Sequence, residues 1–296
     1  VSRFAVLGDP IAHSKSPRMH AAAYLALGMP HAYEAIRVSP AELSSYVDQV
    51  RRGELAGANV TIPHKQHVLD FVDDVDPMAR LCGAANTLVR ADDGRVVAHN
   101  TDVEALARMI RADHPTAGGT AIVLGSGGAA RGAIVALALG AGFTRVVVRA
   151  RSYANPSLRD DLPRDLGARL AAAGARCAIE LASLVPDATV ERVATSIVQT
   201  TSAGMAGADA GDVVASAVDW GSLPPAASAI EVVYAPPDTP FVRAAEATGL
   251  VVRRGAEMLV TQGAVAFELW LGVAAPYDAM RSALALVDER PRGILP

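Results

Sequence analysis

Four apolar residues in a row, Phe4-Ala5-Val6-Leu7, run into Gly8-Asp9-Pro10. A short unbroken apolar run closed by turn residues reads as a buried strand. Pro17 then sits where a helix can begin, with Ser16 as candidate N-cap, and residues 18–27 are helical by composition up to Gly28. A strand over 32–38 follows, then a helix start at Ser39-Pro40-Ala41-Glu42-Leu43. Residues 57–61 read as a third strand, closed by Pro63. Strand, helix, strand, helix, strand predicts an α/β layer with parallel strands.

Past Thr101 the texture changes. A helix over 103–111, capped by Thr101 or Asp102, precedes Pro115 and Gly118-Gly119. The buried strand 120–124 leads straight into Gly125-Ser126-Gly127-Gly128, then an alanine-rich helix to Gly140 and a strand over 144–148. That is a βαβ unit. Residues 153–163 form a polar, proline-containing connection with no assigned element, and another αβ pair ends at Ile197-Val198. Residues 229–233 read as the last strand here. After Pro240 the chain turns helical, most clearly over 257–271, and is expected to pack back on the first domain. The predicted fold is α/β with two domains: an open α/β substrate domain (1–102 and 239–296) and a Rossmann-type dinucleotide domain (103–238). The tail after Ala285 is expected to fray.

Composition narrows the class. The 296 residues are 51% hydrophobic and 20% charged, a balance that builds cores. The net charge of −4, with no basic run, excludes a nucleic-acid or anionic-membrane binder. No apolar stretch approaches the ~18 residues of a membrane span. Two cysteines, Cys82 and Cys177, read as reduced thiols of a cytoplasmic protein. His64 and His67 are three apart but no third ligand cluster joins them, so no metal site is expected.

Gly125, Gly127 and Ala130 fit G-x-G-x-x-G/A between a strand and a helix, the setting in which backbone N–H groups at a helix start hold a pyrophosphate. The next strand ends Val148-Arg149-Ala150-Arg151-Ser152, with two arginines and no acid. A carboxylate there holds a ribose 2′-hydroxyl, whereas guanidinium binds a 2′-phosphate, so NADP is expected over NAD. Four polar clusters lie outside this unit: Ser14-Lys15-Ser16-Pro17, Asn59 through Lys65, Gly83-Ala84-Ala85-Asn86-Thr87, and Asn100-Thr101-Asp102. Their hydroxyls, amides, one ammonium and one carboxylate suit a small acid bearing several hydroxyl groups.

These clusters, with Gly125-Ser126-Gly127-Gly128-Ala129-Ala130-Arg131 and Met258-Leu259-Val260-Thr261-Gln262-Gly263, resemble the shikimate dehydrogenases in order and over almost the whole chain. The resemblance implies reversible NADPH-dependent reduction of 3-dehydroshikimate in a cleft between two domains, by a monomer or homodimer. It implies that Ser14 and Ser16 hold the substrate carboxylate, that Thr61, Asn86 and Gln262 bind its hydroxyls near Tyr234, and that Lys65 and Asp102 are the catalytic pair. On the cofactor side it implies Gly125, Gly127, Gly128, Ala129 and Arg131 in the phosphate loop, Arg151 and Ser152 at the 2′-phosphate, Thr201 and Ser202 in a following segment, and Gly255 and Met258 near the nicotinamide. Departures from the family pattern fall in the cofactor half: Ala150 and Gln199 replace asparagines, and Val232 stands where methionine is frequent. Lysine is the natural proton donor for ketone reduction, so oxidation of shikimate should gain rate at alkaline pH. Two rivals remain: a sister enzyme acting on quinate or aminoshikimate, and a non-catalytic sensor of NADPH or a metabolite. Loss of Lys65 or Asp102 would mark the sensor; both are present.

Overall fold

The computed structural model describes residues 1–114, 118–158 and 161–284. The first sheet holds β1 (Arg3–Gly8), β2 (Ala32–Arg37), β3 (Gly57–Val60), β4 (Asp74–Val75), β5 (Thr87–Arg90) and β6 (Val96–His99), in the order β2-β1-β3-β5-β6-β4. Helices α1 (Ser16–Ala26), α2 (Leu43–Arg52) and α3 (Pro77–Cys82) connect them. β1, β2 and β3 are parallel, as their βαβ spacing predicts, but β5 runs antiparallel between β3 and β6. Alternation along β1 feeds two cores. Ala5 and Leu7 pack with α2 residues Leu43, Val47 and Val50, while Phe4 and Val6 pack with Met19, Tyr24 and Phe267.

The helix α4 (Thr101–Asp113) leads to the second sheet, all parallel: β7 (Thr120–Leu124), β8 (Arg145–Ala150), β9 (Ala178–Ser183), β10 (Ala194–Gln199), β11 (Ser228–Glu231) and β12 (Val251–Arg253). Its order, β12-β11-β10-β7-β8-β9, is the doubly wound 3-2-1-4-5-6 arrangement counted from β7. The chain reverses direction of winding between β7 and β10, and the crevice beyond their carboxyl ends is where such sheets bind ligands. Around the sheet lie α5 (Gly128–Val135), which continues as a π-turn over Ala136–Gly140, then α6 (Leu162–Ala172), α7 (Ala188–Glu191), α8 (Asp212–Ala215) and α9 (Pro240–Ala247). The chain then returns through α10 (Gly255–Leu271) and α11 (Tyr277–Ala283). Leu259, Val260, Ala264 and Phe267 of α10 pack on Phe4 and Val6 of the first sheet. A Cβ on Gly263 would collide with Met19, so α1 and α10 approach closely there.

Several expectations are corrected. Residues 239–254 lie with the second sheet rather than the first. Phe241 and Ala245 of α9 share a core with Ala229, and β12 pairs with β11. The apolar Val251-Val252 pair is too short for periodicity to separate it from the helices on either side. The strands β4, β5 and β6, two to four residues each, escape detection for the same reason. Ser16 is the first residue of α1, not its cap; its backbone N–H instead donates to Ser14 Oγ at 3.3 Å. The cap of α4 is Asn100, whose side chain accepts from the Asp102 N–H, rather than Thr101 or Asp102. Within the connection 153–163, 3-10 turns occupy Arg151–Ala154 and Pro156–Leu158, and the tail beyond 284 lies outside the described residues. Among the described residues no helix is long and apolar enough to cross a membrane.

Candidate active site

A cleft of about 680 Å³ opens between the two sheets. Its first wall begins at the carboxyl end of β3. There His64 is buried with Nε2 2.6 Å from the Val38 carbonyl oxygen, which pins the turn that follows. Lys65 comes next, its carbonyl accepting the Ala85 N–H at 2.7 Å. From α4, Asp102 meets it: Lys65 Nζ lies 2.6 Å from Asp102 Oδ2, with the carboxylate side chain only 6% exposed. The N-cap Asn100 fixes that helix start, since its Nδ2 also donates to the Ala84 carbonyl at 2.9 Å. A carboxylate in the first helical turn meets the unpaired N–H groups there, which favour negative charge.

Beside this pair the floor is a connected polar network. Asn86 Oδ1 accepts the Thr101 N–H at 2.8 Å, and Asn86 Nδ2 donates to Thr101 Oγ1 at 3.0 Å and to Gln262 Oε1 at 3.4 Å. Gln262 is held in turn by donating to the Leu259 carbonyl at 2.9 Å. The network continues through Asn59, whose Nδ2 donates to Thr87 Oγ1 at 3.0 Å and whose Oδ1 accepts from the Tyr33 hydroxyl at 2.7 Å. Tyr33 reaches Ser16, and Tyr234 bonds to Ser14 and the Lys15 backbone; burial raises both tyrosine hydroxyls above their ordinary pKa. Buried groups fixed this way are pre-oriented toward a polar ligand. Tyr33 carries no motif that marks it as a site residue, and Asn59, first of the Asn59–Lys65 cluster, is given no role of its own by the sequence. A signal does exist for Asn59: an amide within the fully buried strand Gly57–Val60 needs a partner.

The opposite wall is the start of α5. Gly125, at φ +120°, takes a conformation other residues rarely adopt, and a Cβ there would stand 2.6 Å from Thr200 Oγ1. Thr200 itself donates from Oγ1 to the Leu124 carbonyl at 2.7 Å, tying β10 to β7 at the crevice. The helix cap Gly127 has no side-chain cap, and a Cβ on it would meet nothing within 4 Å. Open space over unsatisfied N–H groups is the cradle a pyrophosphate fits. Gly128 abuts the other wall, where a Cβ would stand 3.1 Å from Lys65 Cβ. The nucleotide loop and the Lys65–Asp102 pair are therefore in direct contact.

Ser14, Ser16, Thr61, Lys65, Asn86, Asp102, Tyr234 and Gln262 all line this cleft, as do Gly125, Gly127, Gly128, Ala129, Arg151, Ser152, Thr201, Gly255 and Met258. Arg131 does not. One turn into α5 its side chain points away, lying between Gly83 and Asp165, with Nη1 3.7 Å from Asp165 Oδ2. The two-arginine reading of the β8 terminus is also corrected. Arg149 is buried, donating to both carboxylate oxygens of buried Glu191 and to the Ala217 carbonyl. Its guanidinium is taken up by that pairing, and Arg151, just beyond the end of the strand, is the exposed arginine of the two. Gln199, in place of asparagine, shapes the loop after β10. Its Oε1 accepts the Thr201 N–H at 2.5 Å and its Nε2 donates to the Ala203 carbonyl at 3.1 Å.

Fold and site together define a class: a doubly wound nucleotide-binding sheet facing a polar pocket in which a lysine and a carboxylate touch. The family model for the shikimate dehydrogenase substrate binding domain matches residues 6–88, and that for the shikimate 5′-dehydrogenase C-terminal domain matches 255–285. A shikimate dehydrogenase (NADP(+)) of Symbiobacterium thermophilum is 39% identical over 97% of this chain and 95% of its own length. Its counterpart in Citrifermentans bemidjiense is 38% identical over 95% and 93%. Among solved structures, shikimate 5-dehydrogenase from Thermus thermophilus, in complex with NADP(H) and shikimate, is 34% identical with a TM-score of 0.79, covering 97% of this chain and 99% of that one. The chain belongs to the shikimate dehydrogenase family.

Proposed function

We propose that the protein is an NADP-dependent oxidoreductase that interconverts 3-dehydroshikimate and shikimate. The observation that carries this reading is the 2.6 Å contact between Lys65 Nζ and Asp102 Oδ2 where the nucleotide loop meets the polar pocket. The division of the chain that goes with it assigns residues 1–102 and 255–284 to the substrate domain and 103–254 to the nucleotide domain.

NADP fits the residues present: the open cradle over Gly127 for the pyrophosphate, Arg151 and Ser152 beyond β8 for the 2′-phosphate, and Gly255 and Met258 across the cleft for the nicotinamide. When bound, NADPH supplies the hydride for the carbonyl carbon. The chain does the rest. Ser14 and Ser16 hold the substrate carboxylate, with Tyr234 beside them. Thr61, Asn86 and Gln262 orient the ring through its hydroxyls. The Lys65 ammonium donates a hydrogen bond to the ketone oxygen, polarises it, and delivers the proton that completes the alcohol. Asp102 orients the ammonium through its 2.6 Å contact with Lys65 Nζ. In the oxidative direction Lys65 accepts the alcohol proton. Both cysteines are free, which accords with a cytoplasmic enzyme.

The test is a spectrophotometric assay of NADP reduction with shikimate, run beside quinate. Shikimate should be oxidised with the higher kcat/KM; a preference for quinate would move the reading to the sister enzyme.

A further inference from the structure

Resting on the NADP reading above, we propose that Asp209 tunes cofactor selectivity by competing with the 2′-phosphate for Arg151. Arg151 Nη1 lies 3.2 Å from Asp209 Oδ2, and both residues line the nucleotide half of the cleft. Both side chains face solvent, 72% and 38% exposed, so the pair is within reach of an incoming ligand. Asp209 and Asp102 are the acids that line the cleft among the described residues, and Asp102 is engaged at the far end with Lys65.

The carboxylate is built into place. The loop after β10 closes on itself: the Gly204 N–H donates to the Asp209 carbonyl at 2.7 Å, and the Gly211 N–H donates to Asp209 Oδ1 at 3.0 Å. Gly204 and Gly211 have φ of +90° and +95°, and a Cβ on Gly211 would stand 3.0 Å from the Gly204 nitrogen. One carboxylate oxygen is thus committed to its own loop and the other faces the guanidinium.

A 2′-phosphate arriving at Arg151 must displace this oxygen or share the guanidinium with it, and it meets a like charge in either case. A ribose 2′-hydroxyl meets no such repulsion and can donate to the same carboxylate, as acids do in NAD sites. Asp209 therefore lowers the preference for NADP over NAD that Arg151 creates. It is a specificity residue and takes no part in the chemistry.

The experiment measures binding of 2′,5′-ADP and AMP to the full-length protein by isothermal titration calorimetry, for the parent, Asp209→Asn, Arg151→Ala and the double variant. Asparagine keeps the Oδ1 acceptor for Gly211, so the loop closure survives. Asp209→Asn should bind 2′,5′-ADP about three- to tenfold tighter, with AMP changed less than about twofold. In the Arg151→Ala background the same substitution should bring no gain. If the parent prefers 2′,5′-ADP to AMP but Asp209→Asn binds it no more tightly, the proposal fails and the NADP reading stands. A gain that survives without Arg151 overturns the competition as well. A parent that binds both fragments alike removes the role of Arg151, and the proposal with it.

Discussion

Replacing Lys65 by alanine removes the ammonium but keeps the Cβ that faces Gly128 across the cleft. Two costs follow, and they separate in the measurement. The catalytic one comes from losing the proton donor: a positioned general acid contributes about 10²–10⁴-fold. At about 1.4 kcal/mol per tenfold this is roughly 3–5 kcal/mol of transition-state stabilisation. The structural cost comes from Asp102, whose carboxylate is 6% exposed and loses its 2.6 Å cation. Breaking a fully buried pair costs about 3–5 kcal/mol. Here Lys65 is 17% exposed and both groups line a cleft open to water, so about 1–2 kcal/mol is expected, a fall of roughly 2–8 °C in Tm. Steady-state shikimate oxidation should show kcat reduced about 10²–10⁴-fold with KM for shikimate within about threefold, because the proposed substrate contacts are Ser14, Ser16, Asn86 and Gln262. NADPH binding, followed by fluorescence, should be retained. Adding Asp102→Asn should cost little more, since the two residues act as a unit. A kcat near the parent value with KM raised tenfold or more would make Lys65 a binding residue and refute the proton-transfer assignment.

Three further predictions address the rest of the molecule. Gly125→Ala should weaken NADPH binding at least about tenfold while leaving shikimate binding intact, because φ of +120° and a Cβ 2.6 Å from Thr200 Oγ1 force the phosphate loop to shift; unchanged NADPH affinity by titration would contradict the loop's role. Glu231, whose carboxylate accepts from the Val233 N–H and the Thr239 hydroxyl, has its pKa raised by burial from 4.5 to about 7. A folded-state pKa above the unfolded one means a stability contribution fully present below about pH 4.5 and lost as pH rises through about 7, worth about 3 kcal/mol in all. Glu231→Gln should therefore gain Tm relative to the parent as pH rises from 5 to 8, whereas parallel Tm profiles would show that the carboxyl does not titrate there. Arg149→Met strands the buried Glu191 carboxylate and should cost about 3–5 kcal/mol in urea unfolding, much of it recovered by adding Glu191→Leu, with the ratio of NADP to NAD affinity unchanged; a changed ratio would return Arg149 to the cofactor site.

What the sequence reveals follows from how local each signal is. The unbroken run at 120–124 before Gly125-Ser126-Gly127-Gly128 states a strand, a turn and a helix start within a dozen residues, and β7 and α5 stand where that predicts. Lys65 and Asp102 sit in recognisable motifs, yet nothing local says that they touch; that needs the β3 turn and the α4 cap to converge. Arg131 and Arg149 show the limit from the other side. Each occupies a motif position, but Arg131 turns away from the cleft one helical turn into α5, and the Arg149 guanidinium is taken up by buried Glu191. The short strands β4, β5, β6 and β12 carry too few residues for a period, so pairing alone defines them. Asp209 is invisible in the sequence for a related reason: its importance lies in a loop that folds back across the crevice to Arg151, 58 residues away.

The most direct test of the account is turnover by the purified protein in both directions. With shikimate and NADP, NADPH absorbance should grow, and with 3-dehydroshikimate and NADPH it should decline, both abolished in Lys65→Ala. Protein that binds NADPH but turns over neither substrate would contradict the account.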